Sequence, residues 1–102
     1  MSIVSKEELF QLLKMLCDVI GPSGYEDEVR GIVVDLFKQI ADEAWVDPLG
    51  NVIGVKHGAD RRYKIMYASH MDEIGMFVQH IDDMGFIRVV PIGGIPERAV
   101  IM

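Results

Sequence analysis

The chain has 102 residues, with 10 Lys plus Arg against 16 Asp plus Glu, a net charge of −6 and 50% hydrophobic residues. That is room for one small domain or part of a larger one, and the acidic balance argues against a nucleic-acid partner, which needs a clustered basic face. One cysteine cannot form an internal disulfide, and no apolar run approaches the roughly 20 residues of a membrane span, so the expectation is a cytoplasmic protein with no membrane partner and no signal peptide.

Ser5-Lys6-Glu7-Glu8 has the form of a capping box. The helix it opens carries Leu9, Leu12, Leu13, Leu16 and Ile20 at helical spacing and is expected to stop at Gly21-Pro22. Ser23-Gly24-Tyr25-Glu26 reads as a second capping box, ahead of a helix with Val29, Ile32, Val33, Leu36, Phe37 and Ile40 as its apolar stripe.

The period then becomes extended. Glu43–Val46 and Val52–Lys56 are predicted as a hairpin around the turn formers Asp47-Pro48-Leu49-Gly50-Asn51. Tyr63–Ala68, nearly all apolar, reads as a strand covered on both faces. Ile74–Ile81 and Phe86–Val90 form a second hairpin across Asp82-Asp83-Met84-Gly85, and Ala99–Ile101 is strand-like. The fold class is therefore α/β, two helices with central strands. Helices must cover both faces of such a sheet, and two are too few, so the sequence reads as the opening part of a larger domain. The alternative is a small α+β domain whose open sheet face is closed by self-association.

The strongest chemical signal is Ser69-His70-Met71-Asp72-Glu73-Ile74-Gly75, after an apolar strand, where open α/β sheets place ligands. His70 can offer a ring nitrogen to a metal, and a carboxylate two residues on, Asp72, can fix its orientation and tautomer. On the tripeptide alone the structural reading has the better claim: His70 a hydrogen-bonded strand-end histidine, Asp72 a turn cap. His57 and His80 read as surface residues, and Asp82-Asp83 as a solvated turn. Cys17 reads as a buried inert thiol, and Met66, Met71, Met76 and Met84 as core filling. Ser5 and Ser23 are accounted for by capping, and Gly93-Gly94 is too short for a phosphate loop.

Taken in order, four segments resemble one family. Leu12-Leu13-Lys14 leading to Gly21-Pro22-Ser23-Gly24-Tyr25-Glu26 resembles its N-terminal helix pair, and Asp47-Pro48-Leu49-Gly50-Asn51-Val52-Ile53-Gly54 its D-x-x-G-N hairpin. Ser69–Gly75 resembles its first metal motif, and Gly85-Phe86-Ile87 through Ile92-Gly93-Gly94 the segment that follows. The family is the TET-type aminopeptidases, which act on glutamyl, lysyl and blocked N-termini and have relatives named endoglucanase or cellulase M. The resemblance implies a two-metal exopeptidase, zinc or cobalt, with a phosphorylase/hydrolase-like α/β catalytic domain and an inserted β-rich domain that supports homo-oligomers.

By position, His70 matches the family's first metal ligand and Asp72 the carboxylate that orients it. Residues 1–72 would begin the catalytic domain and residues 73–102 the inserted domain. Two metals about 3.5–4 Å apart would activate a bridging water and polarise the scissile carbonyl of a peptide substrate. The later segments that supply the remaining ligands and the general base are not in this sequence, and one imidazole cannot build a catalytic site of three protein ligands. The expectation is thus an aminopeptidase portion that is inactive alone. The runner-up is a non-catalytic assembly module using its exposed strands. Glycoside hydrolysis ranks last, because Asp72 and Glu73 are sequence neighbours with no evident pair geometry across a sugar bond.

Overall fold

The computed structural model describes residues 4–60, 62–96, 98 and 100. Helix α1 (Lys6–Cys17) starts on the expected capping box: Glu8 N donates to Ser5 Oγ at 3.2 Å and Ser5 N to Glu8 Oε2 at 2.8 Å. It ends earlier than Gly21-Pro22. Asp18 caps it, donating its N–H to Lys14 O and pairing its carboxylate with the Lys14 ammonium, so Ile20 lies beyond the helix.

Helix α2 (Asp27–Ile40) forms without the second capping box. Its N-cap is Glu26, which makes no side-chain cap bond. Tyr25 N donates to Pro22 O at 2.8 Å, and Gly24 sits at φ 87°, so residues 22–25 close a tight turn before the helix. Ser23 is inside that turn and is left for another partner. The α2 stripe faces inward over most of its length: Val29 is 4% exposed, the one buried hydrophobic side chain among the described residues, and Ile32, Val33, Leu36 and Phe37 are half-buried, but Ile40 in the last turn is 67% exposed.

Strands β1 (Glu43–Val46) and β2 (Val52–Val55) pair antiparallel, with Trp45 opposite Ile53. This hairpin packs on α2 so closely that a Cβ on Gly54 would lie 2.7 Å from the Phe37 ring. Strands β3 (Gly75–Ile81) and β4 (Ile87–Ile92) form a separate antiparallel hairpin whose register shifts between Val78 and His80.

The two hairpins share one turn chemistry. In each, an aspartate accepts at Oδ1 from the amides two and four residues on: Asp47 from Leu49 and Asn51, Asp82 from Met84 and Phe86, all at 2.9 Å. In each, a glycine three residues on, Gly50 or Gly85, takes a φ near +90° and donates its N–H back to the aspartate carbonyl at 3.0 Å.

The strand expected at Tyr63–Ala68 is the main correction. The segment forms no ladder among the described residues, and it is open to solvent rather than covered, with Tyr63 74% and Tyr67 92% exposed. A strand exists by pairing, and an apolar run without neighbours has the composition of a central strand but none of its hydrogen bonds. The same shortage of partners exposes Met66, Met76 and Met84, read as core filling, and Cys17, read as a buried thiol. The radius of gyration is 18.3 Å, against about 13 Å for a compact domain of this length. Ala99–Ile101 falls largely outside the described residues.

Candidate metal-ligand site

The loop from Gly21 to Gly24 is fastened to the segment that carries His70. Glu73 N donates to Gly21 O at 2.9 Å, and Gly21 N returns a bond to Glu73 Oε1 at 3.2 Å. Pro22 and Glu73 thereby form an isolated parallel bridge. Gly21 is buried and Gly75 half-buried, and both are closely approached: a Cβ on Gly21 would meet Val29 Cγ1 at 2.9 Å, and one on Gly75 would meet Pro22 at 3.1 Å. The glycines let this loop lie between α2 and the start of β3.

His70 and Asp72 are brought into direct contact. His70 Nδ1 lies 2.9 Å from Asp72 Oδ1 and 3.0 Å from the Asp72 carbonyl oxygen. With two acceptors facing it, Nδ1 must carry the proton of the neutral ring, which leaves the Nε2 lone pair available. The imidazole is 84% exposed, and Nε2 has no partner among the described residues. The other carboxylate oxygen of Asp72 accepts the hydroxyl proton of Ser23. That hydroxyl first, and the imidazole second, hold the Asp72 carboxyl below the usual carboxylate range.

These residues border a cavity of about 170 Å³ that gathers three of the four motifs: Glu26 and Arg30, the hairpin turn Leu49-Gly50-Asn51, and Ser69 through Asp72. Arg30, which drew no notice in the sequence, is the tie. Its Nε donates to Gly50 O at 2.9 Å, and its guanidinium pairs with Glu26 at 3.1 Å and with Asp27. Its i, i+4 spacing from Glu26 was the readable signal. Ser23 was also missed, because a capping box explained it.

The remaining candidates stand apart. His57 Nε2 lies 3.2 Å from Glu43 at the open end of β1–β2, and His80 is exposed on β3 opposite Arg88. Asp82 is occupied with its turn amides. The Asp72 and Glu73 carboxylates each engage their own chain, on Ser23 and His70 in one case and on Gly21 in the other, so they do not face a common substrate bond. Ser23 bonds to the carboxylate and not to the imidazole, which is not the order of a serine nucleophile.

A family model described as M42 glutamyl aminopeptidase matches residues 50–102, half of the chain. The chain belongs to the M42 glutamyl aminopeptidase family. It is 47% identical over 93 residues to the lysyl aminopeptidase of Pyrococcus furiosus, which covers 89% of this chain and 26% of that protein. Among solved structures, an aminopeptidase from the archaeon Desulfurococcus kamchatkensis matches at TM-score 0.82 and 48% identity, over 90% of this chain and 26% of its own. A TET aminopeptidase from a marine-sediment Thaumarchaeota archaeon matches at TM-score 0.70 and 39% identity, over 83% of this chain and 24% of its own. This M42 chain therefore spans about a quarter of the length of the relatives it matches.

M42 is a metallopeptidase family. The donor chemistry of the M42 chain fits one ligand of such a site: an exposed imidazole whose Nδ1 side is held by a carboxylate, as metal-bound histidines are held. It does not fit a complete site. Among the described residues no group of three or more His, Cys, Asp or Glu comes together to hold an ion. No helix among them is long and apolar enough to cross a membrane.

Proposed function

We propose that this chain is the opening portion of a two-metal aminopeptidase, in which His70 is a metal ligand through Nε2 and Asp72 orients it. In this reading residues 1–72 begin the catalytic domain, and residues 73–102 begin an inserted β-rich domain. The complete protein removes N-terminal residues from peptides as a cytoplasmic homo-oligomer, with zinc or cobalt as its metal.

The observation that carries the reading is the 2.9 Å contact between His70 Nδ1 and Asp72, with Nε2 without a partner among the described residues and the imidazole, which lines the cavity, largely exposed. A bound divalent ion supplies Lewis acidity and a more acidic water in such enzymes. The contribution of this chain is narrower. Asp72 holds the ring in the Nδ1–H tautomer, and the fastening of Gly21 to Glu73 keeps that segment in place beside α2. One imidazole is short of the three protein ligands that a catalytic zinc site takes, so the 102-residue chain is inactive alone.

The test is a peptidase assay of the purified chain on aminoacyl anilides with added zinc or cobalt. No chelator-sensitive hydrolysis is expected. Chelator-sensitive hydrolysis that His70→Ala abolishes contradicts the incompleteness of the site. A second reading, a non-catalytic assembly module, is favoured by the apolar surface of the β3–β4 hairpin, where Phe77, Val78 and Ile81 are exposed. Metal binding independent of His70 supports that module over the ligand reading.

A further inference from the structure

We infer that Ser23 is a positioning residue for the metal-ligand pair: its hydroxyl locks the Asp72 carboxylate in the orientation that presents Oδ1 to His70. The inference rests on the reading of His70 as a ligand for its consequence, but its geometry stands without a metal.

Among the described residues the Ser23 side chain makes no other hydrogen bond. It was expected to cap α2, yet that helix starts at Asp27 with Glu26 as an N-cap that makes no side-chain cap bond, and the turn through Gly24 separates the serine from it. Its Oγ–H is spent on Asp72 Oδ2 while Oδ1 faces His70 Nδ1, so each oxygen of one carboxylate has its own partner. Asp72 is half-buried and belongs to a segment without a ladder of its own, so rotation of its side chain is restrained by these bonds rather than by packing. The serine is delivered by the bridge between Pro22 and Glu73, in which Gly21 both accepts from and donates to Glu73. Residues 49 apart in the chain are thereby set in line as hydroxyl, carboxylate and imidazole.

The experiment follows the imidazole nitrogen resonances of His70 in the 102-residue chain at pH 8, first without metal and then during zinc titration. Without metal, Ser23→Ala is expected to move these resonances, as Asp72→Ala does, and Ser23→Thr, which keeps the hydroxyl, to leave them near their wild-type positions. Under zinc, Asp72→Ala is expected to weaken His70-dependent binding by about 10–100-fold and Ser23→Ala by about tenfold, with the double variant no weaker than Asp72→Ala. A serine that served folding alone would give additive losses and no rescue by threonine. Unmoved resonances in Ser23→Ala, or a threonine variant that behaves like alanine, overturns the inference. If His70→Ala leaves zinc binding unchanged, the ligand reading fails, while the metal-free resonances still decide the role of Ser23.

Discussion

Gly50→Ala tests whether the hairpin turn and α2 are joined through Arg30. Gly50 sits at φ +88°, and an added Cβ would lie 2.9 Å from one terminal Arg30 nitrogen and 3.2 Å from its Cζ. The left-handed backbone alone costs an alanine about 1–2 kcal/mol. The side chain must also push aside a guanidinium that is only 20% exposed and that donates to Gly50 O, a charged bond worth about 1.5 kcal/mol or less after allowance for its remaining solvation. The expected total is about 2–3 kcal/mol. Gly24→Ala is the control, since Gly24, in the turn before α2, has φ +87° but nothing within 4 Å of its Cβ position. It should lose only the backbone share, about 1–2 kcal/mol. The two losses differ by about 1 kcal/mol, so at a urea slope of about 1–2 kcal/mol per molar the midpoints of the two variants should differ by roughly 0.5–1 M. Equal losses in both variants refute the argument, because the Arg30 contact would then carry no energy.

Other expectations follow from the same contacts. Gly54→Ala places a Cβ 2.7 Å from the Phe37 ring and should lower stability by about 1–3 kcal/mol in the same unfolding assay. Asp42, Asp47, Asp60 and Asp72 have carboxyls held below their ordinary range, chiefly by Lys56, Asn51, Arg62 and Ser23 respectively. The folded state thus binds fewer protons than the unfolded one in acid, so stability should be full above the ordinary carboxylate pKa and decline as pH falls below about 4, measured by thermal melts across pH. The apolar surface of β3–β4 and of Tyr63–Tyr67 should drive self-association, visible in sedimentation velocity as species larger than 11.5 kDa. A monodisperse monomer at tens of micromolar would contradict that expectation.

Local chemistry in this chain was readable wherever neighbours in sequence settle it. The Ser5 capping box, the α2 stripe from Val29 to Phe37 and both hairpins follow from spacing and turn residues alone. What depends on contacts distant in sequence was misread or missed. Ser23 looked like a cap because its hydroxyl has a plausible local partner, and only the meeting of Gly21 with Glu73 brings Asp72 to it instead. Tyr63–Ala68 looked like a covered strand because composition records what a segment would bury, not whether partners are present to bury it. The contact between His70 and Asp72 was legible because two residues of separation suffice to join an imidazole and a carboxylate.

A calorimetric zinc titration of the chain beside its His70→Ala variant tests the role of His70 most directly. Weak binding that disappears with the histidine is the predicted result, as expected for one oriented imidazole with its companions elsewhere. Binding that is tight, or that survives the loss of His70, would contradict it.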